Sequence, residues 1–237
     1  MDSPELPHPT DNRWLAPLVG LFRSVRFRVR EVLAAPTQWR RHKRRVDRAF
    51  DAAHGVDTGG VVPLHAMGVT TPSARLAVDY IASDPEEFEA AMTALAVDAE
   101  RFTFVDVGCG KGRALILAAR QPWRRLIGVE FSSSLCAVAR TNLARAVGGA
   151  RQVEVRCQDA LEFELPDEPL VLFLYNPFER SLMKAFAARV AASLERSPRD
   201  IRVVYTNPFH GDEWIAAGFE LCARGDTHAI YRSVARR

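Results

Sequence analysis

From Phe102 onward, apolar runs of strand length alternate with longer segments in which apolar residues recur every three or four positions. That alternation is the pattern of βαβ units, in which helices cover both faces of a largely parallel sheet. Strands are predicted at about 102–107, 125–130, 153–157, 169–175, 201–206, 219–223 and 227–232, with helices at roughly 112–120, 133–147, 179–195 and 211–217. Leu170 to Tyr175 is apolar throughout, as a strand buried on both faces requires. Only Arg224-Gly225-Asp226 separates the last two strands, too few residues for a crossover helix, so those two form an antiparallel hairpin. The predicted fold class is α/β, a seven-strand doubly wound sheet with helices on both faces and a C-terminal antiparallel hairpin.

Upstream the pattern changes. Between Trp14 and Leu33, the residues Leu15, Leu18, Phe22, Val25, Val29 and Val32 draw one apolar helical stripe, flanked by Arg23, Arg26, Arg28 and Arg30. Pro36 ends the segment, and Arg40, Arg41, Lys43, Arg44, Arg45 and Arg48 build a second basic cluster. His54 to Gly60 is rich in turn formers and predicts a loop. After it, Thr71 or Ser73 caps a predicted helix through Leu76, Val78, Tyr80 and Ile81, and a further helix is predicted from Pro85 to about Ala99. The expected organisation is a disordered tail over 1–12, a basic amphipathic helical arm and loop over 13–60, and one α/β domain over 61–237.

Composition narrows the class. A length of 237 residues with 48% hydrophobic, 26% charged and 9% aromatic content excludes a collagen-like, low-complexity or wholly disordered chain. No apolar run is long enough to span a bilayer. The net charge of +3 divides unevenly: residues 1–12 carry −3, residues 13–48 carry +9 and the body carries −3. The basic arm is open to three readings, namely a helix docked on the domain with its arginines solvated, a peripheral contact with anionic lipid, or a contact with nucleic acid. Cys109, Cys136, Cys157 and Cys222 are scattered without a CxxC pair, so neither a metal site nor a disulfide framework is indicated. Together with the lack of a signal-peptide pattern, this predicts a cytoplasmic protein.

The candidate chemistry lies at the C-terminal ends of the predicted strands, where a doubly wound sheet binds its ligands. Asp106-Val-Gly108-Cys109-Gly110-Lys-Gly112 joins a buried strand to an apolar helix, and such a glycine turn either brings a ligand onto backbone amides or is simply a tight connection. A dinucleotide fingerprint starting at Gly108 needs glycine or alanine at position 113, where Arg113 stands, so a nicotinamide cofactor is disfavoured. Glu130 ends the second strand about twenty residues later, where a ribose diol lies in such folds, and Ser132 to Ser134 cap the next helix. Asp159 follows the third strand and either faces the crevice or caps the turn before Leu161. The fourth strand opens into Asn176-Pro177-Phe178, and the fifth into a second copy, Asn207-Pro208-Phe209. Two amides and two aromatic rings at one cleft mouth form a plausible acceptor pocket, although proline also stops strands for purely structural reasons.

In order and spacing, VDVGCGKG, IGVEFS, CQDA and LYNPF resemble the class I, seven-strand methyltransferases dependent on S-adenosylmethionine (SAM), over about residues 102–237. Within that superfamily the chain looks most like the non-SET lysine methyltransferases of the histone-lysine and ATP-synthase c-subunit types. That likeness rests on Thr70-Thr71-Pro72-Ser73, Val105 to Leu117 and Tyr175-Asn176-Pro177-Phe178. Those families carry a tyrosine before the Pro-Ser step, where this chain has Gly68-Val69. The Asn-Pro-Phe element also resembles the motif of amino-methylating enzymes that act on adenine or glutamine, minus its second proline.

The resemblance implies a Rossmann-like methyltransferase domain over 61–237 that uses SAM and no metal. It implies cofactor contacts from Asp106, Gly108, Cys109, Gly110, Gly112, Glu130, Phe131, Asp159, Ala160 and Asn176, and catalytic placement of the acceptor by Asn176, Tyr175 and Phe178. The implied acceptor is an amine nitrogen such as that of a protein lysine, held by the Asn176 side-chain carbonyl, with His210 the nearby imidazole worth testing as a base. The rival readings are a methyltransferase acting on a small molecule or nucleic acid, and an inactive SAM-binding protein tethered by its arm.

Overall fold

The computed structural model describes residues 38–68, 72–148 and 152–234. The expected tail over 1–12, the arginine-flanked stripe from Trp14 to Leu33 and the Thr70-Thr71 step lie outside those residues. Among the described residues, His42 to Val234 belong to the larger of two compact units. Among the described residues no helix is long and apolar enough to cross a membrane.

The larger unit is built on a seven-strand sheet. Its strands are β3 (Thr103–Val107), β4 (Arg125–Glu130), β5 (Val153–Cys157), β6 (Leu170–Tyr175), β7 (Ile201–Thr206), β8 (Phe219–Arg224) and β9 (His228–Ser233). They lie in the order β5-β4-β3-β6-β7-β9-β8, the first five mutually parallel and β9 antiparallel to both β7 and β8. The terminal hairpin is therefore as the short Arg224–Asp226 link requires. The strand order reverses between β3 and β6, which opens a crevice at their C-terminal ends.

Successive residues of each strand serve opposite faces. Phe104, Val171, Phe173 and Val204 pack on one side against α2 (Pro85–Leu95), α3 (Arg113–Ala118) and α4 (Ser133–Ala146). Val105, Val107, Leu172, Leu174 and Val203 pack on the other against α5 (Arg180–Arg196) and α6 (Asp212–Ala216). In α5 the buried residues Leu182, Met183, Phe186, Ala187 and Val190 recur at three- and four-residue spacing, which is why that segment is a helix with one face on the sheet. Full burial of one such side chain is worth about 1.5–3 kcal/mol.

Two expectations need correction. The segment Leu76 to Ile81 is not a helix: Pro72–Leu76 is a 3-10 turn and Tyr80–Ile81 is strand β2, paired antiparallel with β1 (Val61–Val62). Tertiary bonds override the apolar spacing there, since Glu179 N–H donates to Leu76 O, Ala77 bridges Phe178, and the Tyr80 hydroxyl donates to Thr58 O at 2.6 Å. The helix from Pro85 stops at Leu95 rather than near Ala99, because Ala96 turns left-handed at φ 47° and Asp98 caps a fresh 3-10 turn. Residues 42–60 belong to the compact unit that holds the sheet. There the helix α1 (Gln38–His54) turns Phe50 into the core.

Candidate active site

The glycine loop follows the buried end of β3. Gly108 and Gly110 have φ of 78° and 52°, a region glycine enters without strain. A Cβ on Gly110 would stand 2.1 Å from the Tyr80 ring, and one on Gly108 would stand 2.9 Å from Pro177 Cβ. Tyr80 and Pro177 therefore press on the loop from two sides. Its amides turn toward β4: those of Gly108 and Cys109 both donate to Val129 O, at 2.8 and 3.0 Å. The Gly110 amide donates to Glu130 Oε2 at 3.0 Å, while Glu130 Oε1 accepts from Ser132 N–H at 2.9 Å. Glu130 thus clasps the loop as well as facing the crevice, and burial raises its pKa against the opposing pull of these amides.

Asp106 differs from its neighbours. It is 3% exposed, and its Oδ2 has no hydrogen-bond partner among the described residues. Burial, reinforced by the negative charge of Glu130, pushes its pKa up to about 8. Asp159 fills both of its expected roles in part: its Oδ1 caps the turn by accepting from Leu161 N–H at 2.9 Å, and the residue also lines the cleft.

One cleft brings together Asp106, Gly108, Cys109, Glu130, Phe131, Asp159, Ala160, Tyr175 and Phe178 from the expected set. Gly110, Gly112 and Asn176 do not line it. Gly110 lies beneath Tyr80, and Gly112 at φ 87° serves as the N-cap of α3. Asn176 also sits left-handed, at φ 45°, a conformation asparagine tolerates, and its Oδ1 accepts from the Tyr205 hydroxyl at 2.7 Å. The carbonyl expected to hold an amine is therefore engaged by a buried phenol that needs an acceptor. The second Asn-Pro-Phe copy stays outside the cleft lining, as does His210. The two rings expected at the mouth reduce to Phe178, which is buried against Phe186 at 5.7 Å.

The residues missed in the sequence come mainly from 67–83, with Met67, Asp79, Tyr80 and Ser83 closing the near wall. Tyr80 is the clearest of these, lining the cleft with its ring over Gly110. Arg113 is the other. At 1% exposure it donates from Nε to Thr58 Oγ1 at 2.7 Å, and from one terminal nitrogen to Asp47 Oδ1 at 2.6 Å and to Ser83 O at 3.2 Å. Lys43 also bonds Asp47, and Asp51 lies 3.6 Å from the other guanidinium nitrogen. Burial alone would raise Asp47, yet Lys43 and Arg113 outweigh it and hold the carboxyl below its ordinary value. A charge directly before the apolar run Ala114-Leu-Ile-Leu-Ala118 was the available signal, since a buried cation demands buried anions.

A ligand with a positively charged centre suits this set of groups: Asp106, whose Oδ2 lacks a partner among the described residues, two further carboxylates at adjoining strand ends, and a glycine loop against which a ring and a proline press. Residues 104–197 match the family model described as a methyltransferase domain. Among solved structures, the chain is similar to a magnesium protoporphyrin IX methyltransferase from Synechocystis with bound SAM. That match has 14% identity and a TM-score of 0.46, and covers 62% of this chain and 77% of that one. It is also similar to an RNA methyltransferase from Salinibacter ruber in complex with S-adenosylhomocysteine, at 19% identity and a TM-score of 0.46, covering 65% and 92%. No curated protein matches the sequence. The stretch from β3 to the end of α5 is thus the part of the chain that matches a methyltransferase-domain family model.

Proposed function

We propose that the chain transfers the methyl group of SAM to a neutral nitrogen of an amine, such as a protein lysine. The observation that carries this reading is Asp106, a carboxyl group at 3% exposure whose Oδ2 has no hydrogen-bond partner among the described residues. Such a group is costly in a dry site and is relieved by a cationic ligand. When bound, SAM supplies an electrophilic methyl group on a sulfonium centre. Asp106 faces its positive charge, Glu130 has lone pairs left for the ribose hydroxyls, and the second oxygen of Asp159 suits the adenine amino group. Phe131, Ala160 and Cys109 supply the apolar remainder of the wall.

The chain's own contribution at the acceptor is mainly position and proton state. Only about one lysine in 2,500 is neutral at pH 7, a cost near 4–5 kcal/mol. Burial beside a cationic cofactor lowers that cost by disfavouring the ammonium form. In this reading Asn176 holds the Tyr175–Phe178 turn through its bond with Tyr205, and Tyr175 and Phe178 shape the pocket. The cleft's acidic lining supports a cationic acceptor over a polyphosphate one.

The test is incubation with tritiated SAM and host lysate, followed by separation of protein, RNA and small molecules. Label on protein amines is expected. Label confined to RNA would overturn the amine acceptor, and calorimetric SAM binding without any labelled product would overturn transfer in favour of an inactive binding protein.

A further inference from the structure

We infer that Glu87, Tyr175 and Asn207 form the seat of the acceptor's ammonium group, with Glu87 taking up its proton; this rests on the amine reading above. The three come from separate elements, the first turn of α2, the last residue of β6 and the residue after β7. The Tyr175 hydroxyl donates to Glu87 Oε2 at 3.1 Å, and the Asn207 side chain lies near enough to both to lower their pKa values. The Asn207 backbone is left-handed at φ 50°. Tyr175 also lines the cleft that holds Asp106 and Glu130, so a single side chain connects the cofactor end to Glu87.

The surroundings leave this carboxylate available. Among the described residues, no ion pair within 4 Å involves Glu87. Lys43, a cation acting on it, is already tied to Asp47. Burial first, then the neighbouring Asp84, raise the Glu87 pKa, opposed by Tyr175, Asn207 and Lys43, which makes it a stronger proton acceptor than an exposed glutamate.

The ammonium donates to the Tyr175 oxygen as the Tyr175 hydroxyl proton passes to Glu87, which leaves a neutral nitrogen. That nitrogen's lone pair then attacks the methyl carbon. A C–N bond forms, the C–S bond breaks with its electron pair kept by sulfur, and the positive charge moves to nitrogen. Glu87 returns its proton to water. Because Glu87 acts through Tyr175, it is a positioning residue.

The experiment uses the full chain loaded with S-adenosylhomocysteine and titrated with n-butylammonium, followed by saturation-transfer NMR, with n-butanol as the uncharged control. Wild type is expected to bind the cation and not the alcohol, more tightly as pH rises through the Glu87 ionisation. Glu87→Gln should keep its affinity for S-adenosylhomocysteine, weaken the cation about tenfold or more and lose that pH dependence. Tyr175→Phe, which removes only a hydroxyl, should weaken it too. Binding of S-adenosylhomocysteine with no butylammonium binding, equal binding of the alcohol, or an unaffected Glu87→Gln variant would each overturn the proposal and leave the methyl-donor reading standing. Failure of S-adenosylhomocysteine itself to bind would overturn that reading instead.

Discussion

Arg113 and Asp47 are joined at 2.6 Å across 66 residues of sequence, with side chains 1% and 8% exposed. The bond ties α1 to the first turn of α3, directly beside the glycine loop. Asp47→Ala leaves Arg113 and Lys43 buried without their shared anion, and should cost about 3–5 kcal/mol of stability. Urea denaturation of the full chain measures this. A loss under 1 kcal/mol would mean that water replaces the carboxylate, so that the network does not anchor the loop.

Asp106 links cofactor binding to protons. With a pKa of about 8 in the free protein it is mostly protonated at pH 7, while a cationic ligand favours the carboxylate. Binding at pH 7 should therefore release a proton, and affinity should rise with pH until about 8 and then level. Calorimetry in two buffers of different ionisation enthalpy reads the release, which Asp106→Asn should abolish.

The same group makes a stability prediction of opposite sense. A carboxyl whose folded pKa lies above its unfolded value binds more protons when folded, so its contribution to stability is full below the unfolded pKa and is lost as pH rises toward 8. Asp106→Asn should accordingly raise the melting temperature of the ligand-free protein more at pH 8 than at pH 4. An equal change at both values would show that the carboxyl titrates normally.

Gly110→Ala should weaken SAM binding and destabilise the loop, through strain at φ 52° and a Cβ 2.1 Å from Tyr80. Tyr80→Ala removes the collision and leaves the strain. The double variant should therefore lose less than the two single losses added together, a coupling that thermal melts in a double-mutant cycle would measure.

Tyr205→Phe removes the hydroxyl that Asn176 accepts at 2.7 Å, at an expected cost of about 0.5–1.5 kcal/mol. SAM affinity should hold while methyl transfer to the lysate acceptor slows. Equal losses in both would place Asn176 in cofactor binding instead.

Much of this molecule was legible in one dimension. The seven strands, the terminal hairpin and the acids Asp106, Glu130 and Asp159 at strand ends follow from local pattern, because a strand covered on both faces must be apolar and a parallel sheet collects its polar groups at one edge. The helix misread through Tyr80 has the matching cause in reverse, since its spacing suits a helix while its partners, Thr58, Val61 and Phe178, lie far along the chain. The engagement of Asn176 by Tyr205, of Tyr175 by Glu87 and of Arg113 by Asp47 was likewise beyond the sequence. The sequence alone determined the sheet and the edge at which its acids gather. Only tertiary structure decided which polar groups were already partnered and which remained for the ligand, because a hydrogen bond depends on distance in space and not on separation along the chain.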